Sequence, residues 1–134
     1  MKNFQITQWS AHFIEEQVKP GDFCIDATMG NGNDTLLLSR LCGESGQVLA
    51  FDIQEQALNH TRERLQKAAA PENYTLLLES HSHMSQYARP ETVSCIVFNL
   101  GYLPGGDHSK ATKSNTSITA MEQGLFLLKK GGLL

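Results

Sequence analysis

The sequence predicts an α/β fold, a doubly wound and mostly parallel sheet with helices on both faces. Short apolar runs bounded by turn residues alternate with longer runs whose apolar residues recur at helical spacing. Parallel neighbours need a crossover between them, and the intervening helices provide it. A Gly/Asn loop also falls directly between the first strand-like run and the helix after it, where open α/β sheets collect their ligands.

Taken in order, Phe4, Ile6, Trp9, Phe13, Ile14 and Val18 recur at three- and four-residue spacing, so a helix is expected over 4–18, stopped by Pro20-Gly21-Asp22. Residues 23–27 (FCIDA) are too few for a helix and read as a buried strand. A helix over 34–41 is expected to open on polar capping residues and to close near Gly43. A second strand covers 47–53, and a second helix 55–69 with Ala57, Leu58, Leu65 and Ala68 on one side. Strands at 74–78 and 94–100 (SCIVFNL) follow, then a helix over 118–128 and Lys129-Lys130-Gly131-Gly132. Leu133-Leu134 reads as the start of a fifth strand. A fifth strand barely begun leaves the fourth with an open apolar edge, which folded sheets avoid. The expectation is one domain over 1–134 whose C-terminal strands are missing from the chain or come from a partner.

Composition excludes several classes. With 40% hydrophobic and 19% charged residues the chain fits neither disorder nor coiled coil. A net charge of −3 offers no electrostatic footprint for coating nucleic acid through its phosphates, though an enzyme that grips one loop remains compatible. No apolar run approaches the ~20 residues of a membrane span, and the opening MKNFQITQWSAHFIEEQ is too interrupted by polar residues for a signal peptide. A soluble, cytoplasmic protein without membrane contact is expected. Cys24, Cys42 and Cys95 form no CxxC pair and read as buried structural thiols.

The most informative stretch is DATMGNGNDT, residues 26–35. Glycines at Gly30 and Gly32 let the backbone approach a ligand, and the helix start presents free N–H groups. Asp52 ends the second strand about 20 residues after Gly32, the spacing at which an acid receives ribose hydroxyls. A dinucleotide shares this geometry, but its third glycine would fall at position 35, where the chain has Thr35. Asp26 would also repel a pyrophosphate. A cationic cofactor without phosphates fits better, and S-adenosylmethionine (SAM) has a sulfonium, an ammonium and a ribose.

Asp26-x-x-x-Gly30-x-Gly32, Asp52 and Lys130-Gly131-Gly132 resemble the pattern of class I SAM-dependent methyltransferases, whose sheet is Rossmann-like. DATMGNGNDT, Ser80-His81 and FNLGYLPGGD (98–107) are similar to the YtqB-like family of rRNA methylases, a family assigned to methylation of 5-aminomethyl-uridine at the tRNA wobble position. The resemblance implies that Asn31 and Asn33 bind the methionine part of SAM. It implies that Asp52 takes the ribose hydroxyls with Gln54 beside it, and that Ser80 and His81 hold the adenine. A metal at His81-x-His83 is a weaker reading, because two ligands fall short of a site.

Asn99-Leu100-Gly101-Tyr102 ends the fourth strand and is similar to the Asn/Asp-Pro-Pro-Tyr signature of amino-group methyltransferases. An amine that attacks a methyl group must aim its lone pair at the carbon while its hydrogens are held elsewhere. The Asn99 amide oxygen and the Leu100 carbonyl are acceptors suited to that. Tyr102 can stack on a splayed base, and Asp107, in the loop that follows, is the expected substrate contact. The reading is a SAM-dependent RNA N-methyltransferase acting on the tRNA anticodon loop. Another acceptor (rRNA or another amine), or a non-catalytic SAM- or nucleotide-binding module, is the alternative. Pairing of two copies is left open.

Overall fold

Strands buried on both faces have no need to alternate polar with apolar residues, and the central ones do not. Cys24, Ile25 and Asp26 of β1 (Phe23–Asp26) and every residue of β4 (Val93–Val97) are buried. In the computed structural model, which describes residues 14–98, 122–124 and 127–133, these strands lie side by side within a five-stranded sheet. The other elements are α1 (Asn33–Cys42), β2 (Gln47–Asp52), α2 (Glu55–Lys67), β3 (Tyr74–Leu78), a 3₁₀ helix (His81–Gln86) and β5 (Leu128–Leu133). The order is β3-β2-β1-β4-β5 with every pairing parallel, and Ile25 faces Leu49 on one side and Ile96 on the other. The doubly wound α/β expectation holds.

Residues 24–25 of β1, 48–49 of β2 and 95–97 of β4 alternate between two cores. Cys24, Val48, Cys95 and Val97 pack with Leu38 and Cys42 of α1, joined by Ile14 and Val18 from the helical residues 14–17 and their exit. Ile25, Leu49, Phe51, Val93 and Ile96 pack on the other face with Met84 of the 3₁₀ helix and Leu127. The three thiols are free and buried as expected, and burial pushes Cys95 up to about 12, which leaves it a poor nucleophile. Among the described residues no helix is long and apolar enough to cross a membrane.

Two local expectations are corrected. The N-cap of α1 is Gly32, in the left-handed region at φ 89°, with no side-chain cap of its own; Asn31 Oδ1, one residue earlier, accepts the Asn33 N–H at 3.2 Å. Secondly, β5 begins at Leu128 rather than Leu133, so the Lys-Lys-Gly-Gly stretch is strand and not connector. Thr92 N–H donates to Leu127 O, and Val93 and Cys95 stand opposite Leu128 and Leu133 across an irregularity in register. The edge of β4 is therefore covered. The register pairs with β4 are made at Leu128 and Leu133, on either side of the lysine- and glycine-rich run.

Candidate functional site

The chain order reverses between β1 and β4, and ligands of open α/β sheets bind outside the carboxyl ends of the strands at such a point. The segment leaving β1 stays laced to both neighbours: Ala27 N–H donates to Val97 O at 2.8 Å and Met29 N–H to Phe51 O at 2.9 Å. Gly30 then turns the chain at φ 54°, and its N–H donates to Asp52 Oδ2 at 3.2 Å. Gln54 N–H donates to the other oxygen, Oδ1, at 2.9 Å. Asp52 is half-buried, so its carboxylate is both oriented and reachable. Gly30, Asp52 and Gln54 are thus brought together.

Helix α2 forms the back wall of this turn. A Cβ on Gly32 would lie 2.9 Å from Thr61 Cα, a backbone atom that no side-chain rotation can move away. Thr61 Oγ1 donates to Gly30 O at 3.4 Å and Arg64 Nε to Asn31 O at 2.8 Å. Asn31 and Asn33 are both exposed. Asn31 also borders an open groove of about 520 Å³ between α1 and α2, with Leu36, His60 and Glu63 among its walls.

Asp26, which the motif places among the expected cofactor-binding residues, lies beneath the turn. Its carboxyl is fully buried on the α1 side, where it accepts from Thr35 Oγ1 at 2.6 Å and from Thr28 N–H at 3.2 Å. These bonds tie the end of β1 to the start of α1 beneath the turn. Burial pushes its pKa up to about 8 against those hydrogen bonds, so near neutral pH it is mostly uncharged. The repulsion expected between Asp26 and a pyrophosphate therefore loses its basis. Thr35, buried on α1, supplies the hydroxyl that donates to Asp26.

Ser80 caps the 3₁₀ helix by accepting the Ser82 N–H. His81 turns toward the switch point: its Nδ1 lies 3.1 Å from Ala27 O, and its ring is 5.8 Å from that of Phe98, centre to centre. His83 turns elsewhere, to Glu79 Oε1 at 2.6 Å, so the two rings do not converge on one point. Asn99, Leu100, Tyr102 and Asp107 lie outside the described residues. Sequence reasoning missed four contributors. Ile53 and Leu78, 54% and 53% exposed, follow Asp52 and end β3, and an apolar residue directly after the acid was a readable sign. Thr61 and Arg64 carried no local signal, since their partners are 31 and 33 residues away.

A 3-2-1-4-5 parallel sheet with a glycine turn after β1 and an acid closing β2 is the architecture of class I SAM-dependent methyltransferases. Residues 48–134 match the family described as "Putative rRNA methylase", and the chain belongs to that family. A "tRNA (mnm(5)s(2)U34)-methyltransferase, chloroplastic" of Arabidopsis thaliana is 42% identical over 92% of this chain. Only 49% of that protein is matched, so the chain spans about half the length of this curated relative. An rRNA methylase structure from Streptococcus thermophilus aligns with a TM-score of 0.81 at 36% identity, over 99% of this chain and 71% of that one. A "putative methyltransferase" from Streptococcus mutans, solved in complex with SAH, aligns at 0.84 and 38%, over 98% and 72%.

Proposed function

We propose that this chain binds SAM and methylates an amine on RNA, the aminomethyl group of a tRNA wobble uridine. The observation that carries the substrate is the 42% identity to the plant tRNA methyltransferase, spread over 92% of the chain. The residues present suit the cofactor. Asp52, held by the Gly30 and Gln54 N–H groups, offers a carboxylate for two ribose hydroxyls. Exposed Ile53 and Leu78 offer an apolar surface for the purine, with Ser80 nearby on the turn after β3. The space above Gly30 is open, since a Cβ there would meet only Thr28 O at 3.9 Å. Asn31 and Asn33 take the amino-acid end. The bound cofactor supplies an electrophilic methyl group on sulfur.

In this reading Asn99 and Leu100 hold the amine hydrogens, Tyr102 stacks on the extruded base and Asp107 contacts the substrate. Because an anticodon loop is already single-stranded, little unpairing energy is required and a net charge of −3 is tolerable. The test is mass spectrometry of nucleosides from tRNA incubated with the protein and labelled SAM. Label is expected on 5-aminomethyl-uridine, and Asn99→Ala should keep cofactor binding while losing turnover. Label found only in rRNA, as the family's description would have it, would overturn the tRNA assignment.

A further inference from the structure

We propose that Arg64 is a positioning residue for the cofactor, holding Asn31 so that the N–H donors of that residue are turned toward the cofactor's carboxylate. The inference rests on the proposed function, in which Asn31 takes the amino-acid end of SAM, and it assigns a role to a side chain on the far side of the turn.

Two consecutive carbonyls of the turn are drawn to α2. Gly30 O accepts from Thr61 Oγ1 at 3.4 Å and Asn31 O accepts from Arg64 Nε at 2.8 Å. A trans peptide sets its C=O and the following N–H on opposite edges, and no cis bond occurs among the described residues. The N–H groups of Asn31 and Gly32 therefore point away from α2. That of Gly32 donates to Met29 O at 2.8 Å. That of Asn31 has no partner among the described residues.

The Asn31 side chain is set in a similar way. Its Oδ1 accepts the Asn33 N–H at 3.2 Å. A backbone N–H only donates, so the oxygen must occupy that position and Nδ2 keeps both of its hydrogens for another partner. Asn31 is exposed, and among the described residues Nδ2 has no partner either. A carboxylate only accepts, which is the complement of this donor set. Of the two bonds from α2, the one from Arg64 is shorter and carries a charged donor, so it is the firmer hold on the turn. Thr61 is buried against Gly32, whereas Arg64 is exposed and can be replaced without opening the core.

The experiment measures SAH affinity by calorimetry in wild type, Arg64→Met, Arg64→Gln, Arg64→Lys, Asn31→Ala and the double variant of Asn31→Ala with Arg64→Met. Met keeps a stem of similar length without a donor. Gln places its Nε2 at the same point along the side chain as the Arg Nε, without the charge. Lys keeps the charge and carries its nitrogen one atom further out. Arg64→Met should weaken SAH binding about 10-fold, the order of one charge-assisted hydrogen bond, and Arg64→Gln should recover most of that loss. Thermal unfolding without ligand should move by less than about 2 °C in the three Arg64 variants, as for other surface changes. Because Arg64 acts through Asn31, the double variant should lose less affinity than the product of the two single losses. SAH held as tightly by Arg64→Met as by wild type overturns the inference. Recovery by Lys and not by Gln also overturns it, by making Arg64 a direct charge partner of the carboxylate, and so do single losses that multiply in full. Wild type that binds no SAH, or Asn31→Ala that binds it normally, overturns the placement of the cofactor on Asn31, and the inference with it.

Discussion

Two turns meet at the carboxyl edge of the sheet and are built by opposite means. The Gly30–Gly32 turn is shaped by backbone conformations that glycine alone adopts cheaply, and its contacts run to β2 and to one face of α2. The His81–Gln86 turn has ordinary backbone angles at its caps and is held by side chains reaching across the fold. Met84 is buried in the core beneath it, His81 bonds to Ala27, and Gln123 clasps it from 38 to 41 residues away. The first turn carries its mark in local sequence, and the second is held in part by side chains from distant segments. A ligand bridging them would feel changes in each turn differently.

Gly32→Ala should break the first turn most severely. The substitution adds a left-handed strain of about 1–2 kcal/mol to a clash with the Thr61 backbone, for a total of roughly 2–4 kcal/mol. Gly30→Ala is equally left-handed but meets only Thr28 O at 3.9 Å, so about 1–2 kcal/mol is expected. Thermal unfolding of both variants measures the gap. Equal losses would mean that close packing on α2 is irrelevant. Thr61→Gly should fail to rescue Gly32→Ala, because Thr61 Cα remains in place.

The contrast also explains what was legible in the sequence. β1, the glycine turn and Asp52 could be read together because each has a local mark: an apolar run between turn residues, paired glycines, and an acid at a set distance. Strand β5 was misplaced by five residues, because the Lys-Lys-Gly-Gly run between its paired residues Leu128 and Leu133 resembles a connector. The pairing of Thr35 with Asp26 was not legible, since only burial turns a charged acid and a bulky threonine into a hydrogen-bonded pair. Gln123 and Arg64 were invisible, because their function depends on partners brought close by topology.

That buried pair gives the next test. The folded-state pKa of Asp26 is raised from 3.8 to about 8, so between those values the native state binds a proton that the unfolded chain releases. Stability from this group is therefore full at low pH and is lost as pH rises toward about 8. Between pH 6 and 8 the loss is roughly 2 kcal/mol. Asp26→Asn mimics the protonated acid and should flatten the stability profile through that window, its advantage over wild type widening with pH. Unfolding curves of the two proteins that stay parallel from pH 6 to 8 would show that Asp26 is not buried as a neutral group.

The smallest effect concerns the second turn and sharpens the comparison furthest. Gln123 Nε2 donates to Ser82 O while its Oε1 accepts the Ser85 N–H at 3.0 Å, so one side chain closes a two-point clasp on the 3₁₀ helix. Removing it in Gln123→Ala forfeits two partly exposed hydrogen bonds, about 1 kcal/mol in all. Fold stability should barely register this, since Met84 still anchors the turn from below. The amides of residues 82–86 should register it, exchanging faster with solvent while those of Gly30 and Gly32 keep their protection. Gln123→Glu keeps an oxygen for the Ser85 N–H but sets a carboxylate against the Ser82 carbonyl. It should therefore loosen the Ser82 end and spare the Ser85 end. Exchange that rises equally at both turns would mean that they are one mechanical unit, and the distinction between local and long-range construction would be lost.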